Sequence, residues 1–321
     1  MKKLLVVLTL IFSLIICPVS SIAGYNWIDD DYTLDSFKEI APGYAEIMDE
    51  FGDTDERIVP DLSESIVTVR TVGTGSGIYP HNDGTTELLE GTFAIQGSGF
   101  VIKEGYIVTA AHCVLPDAVC LMAPNNSYYN ASIITALISE SKKTIFISSD
   151  WDNIEGSIIA HIKYVDPKAD IALLQYHGNY FKPLPYKLLR MTGYDEMMGY
   201  PYDILEVGDA VSVWVREVID REVVGNRWQL NNGKVISPKP IAPKGLEHLV
   251  PWLEPEDITL SVRFYGGCSG SPIFAFMNGK PYIIGVVVSV IGADMFGGIR
   301  QNAHFYGTKI DPIVNIMKAL D

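Results

Sequence analysis

A histidine, an aspartate and a serine follow one another along the chain, each in a local sequence that favours exposure at a cleft. His112 ends a strand-like stretch, Asp170 precedes an apolar run, and Ser269 lies in the glycine-rich segment Gly266–Pro272. A serine hydroxyl is a weak nucleophile and needs a base within hydrogen-bond reach. A histidine can take its proton, and an aspartate can hold the imidazole in the required tautomer. The three residues together predict a catalytic triad, although each pattern alone is common.

The glycines around Ser269 predict a second element of the same chemistry. Glycine permits the sharp backbone that exposes a serine hydroxyl and directs amides at a substrate carbonyl. We therefore expect the amides of Gly267 and Ser269 to form an oxyanion hole.

Other interpretations of these residues remain open. Cys268 is an alternative nucleophile, which would make the chain a cysteine peptidase, and a catalytically silent binding protein could carry the same scaffold. The six histidines show no His-Glu-x-x-His spacing, and the cysteines have no zinc-site spacing. No metal or other cofactor is predicted.

The segments around these residues predict an all-β protein. From Ser65 onward, strand-like pieces alternate with Gly, Asn, Asp and Pro, as in sandwiches and barrels. Two stretches, centred on Val213 and Val262, alternate apolar with other residues and predict strands with one buried face. Two strands around a glycine turn would present His112 at a strand end.

The C-terminal segment 311–320 predicts a helix. Asp311 can cap it, and Pro312 suits the first turn. Four apolar side chains then fall on one helical face, namely Ile313, Ile316, Met317 and Leu320.

The N-terminal residues predict export. Residues 1–23 combine two lysines, an apolar run and small residues before the expected cut, as in a signal peptide. The run is short for a membrane span, so cleavage is favoured over anchoring. Residues 24–57 are acidic and form either a solvated extension or a prosegment. The mature protein is expected to be secreted or periplasmic, with no membrane association after cleavage.

The net charge limits the class of binding partner, and the cysteines limit the disulfides that can form. The formal net charge of −15 disfavours nucleic acid, so protein or peptide substrates are the expected partners. An exported protein can form disulfides. Cys113 and Cys120 could form one or remain thiols, whereas Cys268 would be left unpaired.

These motifs resemble those of the trypsin-like serine peptidases of the chymotrypsin fold. The segment Gly267–Pro272 and residues 90–93 are similar to the bacterial glutamyl endopeptidase group, and residues 109–113 to the histidine motif of animal trypsins. The likeness runs over residues 58–321. It implies two antiparallel β-barrels, at about 58–185 and 200–310, with the active site between them and the helix 311–320 behind.

The chain also departs from these families. Trypsins have an aspartate before the serine that pairs with the newly cut N-terminus, but Cys268 occupies that place, although Arg57-Ile58 is similar to an activation site. The glutamyl group has a histidine in the strand after the serine loop, which residues 284–289 lack.

The resemblance also implies a specificity pocket. It places Arg263, six residues before the serine, at the pocket base, with His304 on a second pocket strand. Two cationic groups there would favour an acidic substrate residue. Alternatively, Arg263 points to solvent or Phe264 fills the pocket.

Overall fold

The computed structural model describes residues 62–320 apart from positions 82 and 265 and the segments 116–117, 123–127, 134–142, 152–155, 196–199, 220–221, 242–256, 278–279 and 294–298. The predicted signal peptide (1–23) and acidic segment (24–57) lie outside the described residues. Within them, no helix combines the length and the apolar character that a membrane crossing requires.

Antiparallel strands account for most of the described chain, and a single α-helix follows them. The strands of the first half are β1 (Ile66–Pro80), β2 (Thr86–Lys103), β3 (Tyr106–Thr109), β4 (Ala118–Met122), β5 (Tyr128–Ile133), β6 (Lys143–Ser148), β7 (Ile158–Asp166) and β8 (Ile171–Tyr176). Those of the second half are β9 (Thr192–Asp195), β10 (Tyr200–Asp203), β11 (Ala210–Ile219), β12 (Glu222–Ser237), β13 (Asp257–Leu260), β14 (Pro272–Met277), β15 (Lys280–Ala293) and β16 (Ile299–Lys309). The helix is α1 (Asp311–Leu320).

The first half closes into a six-stranded antiparallel barrel. Its strands are joined in the order β1-β2-β3-β8-β7-β6, and β6 returns to β1 through pairs such as Thr68 with Ser148. The hairpin β4–β5 bridges the far ends of β1 and β2. The tight turn after β2 contains Gly105 at φ 80°, a left-handed conformation that glycine adopts without steric cost. This turn returns the chain through β3 to the position of His112.

The second half forms another six-stranded antiparallel barrel. The order is β11-β12-β13-β16-β15-β14, closed where Val211 pairs with Ala275. A short two-stranded sheet, β9 with β10, lies in the connection between the barrels. Two antiparallel barrels followed by a helix confirm the predicted all-β, chymotrypsin-like fold.

Strand β11 is buried on both faces, which corrects the prediction of one buried face. Val211, Val213 and Val215 belong to the core of the second barrel. Trp214, on the opposite face, packs in the apolar cluster of the first barrel, and Ser212 is also buried. This strand therefore lies between the two barrels, a position that its own sequence does not specify.

The stretch around Val262 has the predicted alternation of buried and other side chains, but only part of it is a strand. Leu260, Val262 and Phe264 are buried in the second barrel, while Arg263 is exposed. Hydrogen-bonded strand structure, however, ends at Leu260.

One apolar cluster extends from the first barrel onto the second. It contains Phe100 and Leu173 of the first barrel together with Phe274 and Tyr306 of the second. Tyr186, from the connection between the barrels, meets Phe274 edge to face with ring centroids 5.6 Å apart. Each such buried side chain contributes about 1.5–3 kcal/mol, so the barrels are held at a fixed relative position.

Helix α1 confirms the predicted C-terminal helix. It packs on the first barrel. Ile313 is fully buried in the first cluster, and Ile316 and Met317 pack against it. The Asp311 carboxylate accepts hydrogen bonds from the backbone amides of Met191 (2.8 Å) and Thr192 (2.9 Å). The helix thus fastens the connection between the barrels as well.

Candidate active site

His112 lies in a short 3-10 turn, Ala111–Cys113, directly after β3. Its ring Nδ1 donates to Oδ2 of Asp170 at 2.7 Å, and its backbone amide donates to Oδ1 of the same carboxylate at 2.8 Å. Because a carboxylate only accepts, Nδ1 carries the proton and Nε2 is left as the basic nitrogen. This is the tautomer that a general base acting through Nε2 requires.

Asp170 is placed by a strained turn immediately before β8. Its φ of 46° is the left-handed conformation, which aspartate tolerates better than most residues. Its carbonyl also accepts the amide of Ala111 at 3.1 Å. Side chain and main chain of Asp170 together fix the turn that carries His112.

The electrostatics favour the protonated imidazole. The side chains of His112 and Asp170 are 21% and 28% exposed, so the pair lies in a partly desolvated cleft. Burial acts to lower the pKa of His112, but the charge of Asp170, with a smaller contribution from Cys113, outweighs it and holds the pKa well above its ordinary value. The ring is therefore a strong base.

Ser269 lies in the loop of residues 266–271, between the buried Phe264 and strand β14. Gly270 is in the left-handed region at φ 92°, and a Cβ there would overlap the carbonyl oxygen of Ser98. The carbonyl of Ser269 accepts the amide of Ser98 at 2.7 Å and lies 3.8 Å from the Cys113 sulfur. The serine backbone therefore lies against the residue that follows His112.

The hydroxyl of Ser269 bonds to the carbonyl of Val288 at 3.4 Å. Within the described residues it makes no hydrogen bond to His112. Rotation about χ1, between staggered wells that serine occupies freely, redirects the hydroxyl without moving the backbone.

Two amides of this loop are available as donors. Gly267 adopts φ 87°, and neither its N–H nor that of Ser269 donates a hydrogen bond to the described part of the chain. Buried N–H groups are rarely left unpaired in folded proteins. Such amides, beside a serine hydroxyl, are suited to hold a negatively charged oxygen.

Comparison with known proteins shows the family of the chain. The family described as "Trypsin-like peptidase domain" matches residues 97–286, a range that contains His112, Asp170 and Ser269. The chain belongs to this family. No curated protein matches the sequence. The crystal structure of Deg5 is similar over 79% of this chain and 87% of that chain, at 16% sequence identity and a TM-score of 0.42.

The residues that were predicted to line a specificity pocket lie in different surroundings. Arg263 is exposed, and its carbonyl accepts from Asn231 Nδ2 at 2.8 Å. His304 is half-buried and stacks on Tyr306 with ring centroids 6.3 Å apart. Phe264 meets Phe305 edge to face at 5.1 Å inside the second barrel. The ring of Phe264 is therefore part of the core.

The cysteines of the peptidase are not crosslinked where they are described. Cys113 is a free, buried thiol, so it does not form the disulfide with Cys120 that the sequence allowed. Cys268 forms no disulfide either and is buried, 1% exposed, in the second barrel core. This burial disfavours Cys268 as a nucleophile. The described residues contain no group of three or more side chains that could hold a metal ion.

Two residues of the site were not predicted from the sequence. Ser98, on β2, donates a hydrogen bond to the Gly267 carbonyl in the serine loop. Trp151, between β6 and β7, packs over Gly267. The only local signal was the Gly97-Ser98-Gly99 triplet, whose glycines indicate close backbone approach. The sequence around Trp151 carried no comparable signal.

Proposed function

We propose that this trypsin-like peptidase is an exported serine endopeptidase that cleaves peptide bonds through an acyl-enzyme. The observation that carries the proposal is the bidentate contact of Asp170 with the ring and amide of His112. This contact prepares a base whose free nitrogen faces away from the carboxylate.

The proposed reaction begins when Ser269 Oγ attacks the carbonyl carbon of the scissile bond. His112 Nε2 takes the hydroxyl proton, and the oxyanion accepts from the amides of Gly267 and Ser269. The C–N bond then breaks, and the imidazolium gives its proton to the leaving amine. Water, activated by the same nitrogen, hydrolyses the ester and restores Ser269.

Covalent labelling tests this function directly. A fluorophosphonate should label the purified protein at Ser269, as mapped by mass spectrometry, and Ser269→Ala should abolish the label. Ser271→Ala is the matched control because that neighbouring buried hydroxyl has no hydrogen-bond partner among the described residues. Failure of the wild-type protein to react would favour a silent binding protein. Labelling at Cys268 would favour the cysteine mechanism.

An acidic preference before the scissile bond is part of the proposal. It is supported by the cationic Arg263 and by His304 on β16, and by the likeness of the serine motif to the glutamyl group. The test compares peptides that differ only in Glu, Lys or Phe at that position, in the wild type and in Arg263→Ala. The acidic peptide should be preferred by the wild type only. Preference of the wild type for the Lys or Phe peptide would refute the proposed acidic preference.

Export and maturation complete the proposal. Residues 1–23 would be removed on export to a secreted or periplasmic location. Part of residues 24–57 would be removed on maturation, because this segment is acidic and is followed by the Arg57-Ile58 bond. N-terminal sequencing of the active secreted form tests both steps. An active form beginning at Gly24 would make residues 24–57 a permanent extension.

A further inference from the structure

The serine loop is held by a residue of the opposite barrel. Ser98 is fully buried in β2, and its hydroxyl donates to the carbonyl of Gly267 at 2.8 Å. Its backbone amide donates to the carbonyl of Ser269 at 2.7 Å. One residue thus fixes the orientation of two peptide groups in the segment that presents the nucleophile.

The position of Ser98 is itself fixed. Its carbonyl accepts from the hydroxyl of Thr109 at 2.7 Å and lies against the Cα of Gly270, where a side chain would overlap it. Ser98 therefore contacts the loop at Gly267, Ser269 and Gly270. A rigid strand of the barrel that carries His112 sets the shape of the loop.

Trp151 supports the same glycine by packing. A Cβ on Gly267 would lie 2.5 Å from Cη2 of the indole, so the ring closes over the Cα. The Trp151 carbonyl accepts from Arg70 Nη2 at 2.7 Å and from Gln96 Nε2 at 2.9 Å, which holds the tryptophan main chain. Gly267 is thus confined between a hydrogen bond and an aromatic ring, both from the first barrel.

We propose that Ser98 is a positioning residue, which aligns the oxyanion donors on one barrel with the base on the other. This inference rests on the proposed function. The Gly267 carbonyl and the two donor amides belong to adjacent peptide groups, so rotation of the Gly267–Cys268 peptide would redirect the Ser269 amide through the chain. The hydroxyl of Ser98 opposes that rotation.

The expected effect is on turnover rather than on substrate binding. Donors that are misaligned stabilise the transition state less and leave ground-state contacts unchanged. Removing one oxyanion donor costs about 10²–10³ in turnover. Ser98→Ala loosens the donors without deleting one, so we expect kcat to fall about 10–100-fold with KM within about threefold of the wild type.

The experiment compares Ser98→Ala, Ser98→Thr and Ser212→Ala. Ser98→Thr keeps a hydroxyl and should recover most of the lost turnover. Ser212→Ala is the matched control because Ser212 is a buried serine of the second barrel whose hydroxyl donates to Asn232 Oδ1 at 2.6 Å. It should leave kcat unchanged. A peptide aldehyde, which forms an oxyanion-like adduct, should bind Ser98→Ala about 10–100-fold more weakly than the wild type.

A second measurement does not depend on catalysis. Hydrogen exchange of the peptide covering residues 262–276 should be faster in Ser98→Ala than in Ser212→Ala, at equal thermal stability of the two variants. Wild-type kcat and wild-type exchange in Ser98→Ala would overturn the inference. A fall in kcat matched by Ser212→Ala would overturn it as well. If the wild type fails to react with a fluorophosphonate, the proposed function fails, and the exchange comparison still decides the role of Ser98.

Discussion

The Asp170 carboxylate uses both of its oxygens on one residue, the ring and the amide of His112. A single contact would position the ring, whereas two contacts also fix it relative to its own backbone. The left-handed φ of Asp170 is the conformational cost of that geometry, on the order of 1–3 kcal/mol. Strain of this kind, at a residue beside a base, is typical of a functional site.

Loss of the carboxylate should nearly abolish turnover. In Asp170→Asn the amide can donate to Nδ1, which favours the wrong imidazole tautomer, and kcat should fall by about 10⁴-fold. Asp166→Asn is the control, because that carboxylate binds the amides of Lys168 and Ala169 in the same turn. Single-turnover kinetics on a peptide ester measure both. An Asp170→Asn enzyme within tenfold of the wild type would contradict the role assigned to Asp170.

The raised pKa of His112 predicts the acid limb of the pH profile. The base must be neutral, so kcat/KM should rise with pH through a pKa above 6.5, and this limb should shift to lower pH in Asp170→Asn.

The free energy of unfolding should change with pH in the opposite direction to kcat/KM. Because the folded-state pKa of His112 is raised, the stabilisation by its protonated pair with Asp170 is complete below about pH 6.5 and is lost as the pH rises through the raised pKa. Thermal unfolding between pH 6 and 9 measures it.

The three candidate triad residues could be picked out from the sequence because each lies in a local pattern with a chemical reason. Ser98 and Trp151 could not, because their importance comes from contacts with Gly267 that are more than a hundred residues distant in the chain. The alternation around Val262 does favour a buried Phe264 and an exposed Arg263, as found, whereas the resemblance placed Arg263 at the base of a pocket. Side-chain direction at a strand end depends on where the strand stops.

At the scale of elements, β2 passes so close to the His112 turn that a Cβ at position 97 would lie 2.4 Å from the Cys113 sulfur. A Cβ on Gly97 would lie 3.6 Å from the Cβ of Cys113, within the range that a disulfide spans. Trypsins, which this chain resembles, pair the corresponding cysteine with an upstream one. A second cysteine at position 97 would therefore lie at disulfide distance from Cys113.

Gly97→Cys should accordingly form a disulfide with Cys113. The closed loop of about 16 residues would raise the free energy of unfolding by about 3 kcal/mol at most, less the cost of crowding the Ser269 carbonyl 2.9 Å from the new Cβ. Thiol titration and urea denaturation, with and without reductant, measure the bond and its effect. Gly97→Cys combined with Cys113→Ser is the control. A variant that keeps all its thiols under oxidising conditions would contradict the geometry.

The Asp311 carboxylate attaches the start of helix α1 to the connection between the barrels. Asp311 is 12% exposed, accepts two backbone amides and lies 3.5 Å from Arg190 Nε. Asp311→Ala leaves both amides unpaired and should lower the free energy of unfolding by about 2–3 kcal/mol. Asp209→Ala is the control, because Asp209 accepts one amide in an exposed turn, and it should cost less than about 1 kcal/mol. Equal losses in urea denaturation would contradict the role of Asp311.

For the whole molecule, the barrels act as one unit because a single apolar cluster crosses between them. Phe274 of β14 is fully buried in that cluster and meets Tyr186 of the connection. Alternation and turn residues predicted strands, and the resemblance supplied the two barrels. The contact between the barrels could not be predicted from the sequence. The local sequences around Trp214 of β11 and Phe274 of β14 do not show whether the outer face of each strand meets solvent or the other barrel.

Phe274→Ala should weaken both stability and turnover. The cavity should cost about 3–5 kcal/mol in urea denaturation. It should also lower kcat, because β14 begins three residues after Ser269 and the interface aligns that serine with His112. Phe276→Ala, at a partly buried position of the same strand, is the control and should lose less of both. Full turnover in a folded Phe274→Ala enzyme would show that the active site tolerates movement between the barrels.

The position of α1 also has a consequence for the order in which the molecule is made. The helix follows both barrels in the chain, yet it packs on the first barrel and binds the connection between them. A growing or translocating chain cannot complete this contact until the second barrel has been delivered. The attachment of the helix to the first barrel and to the connection is therefore among the last contacts that the chain can form.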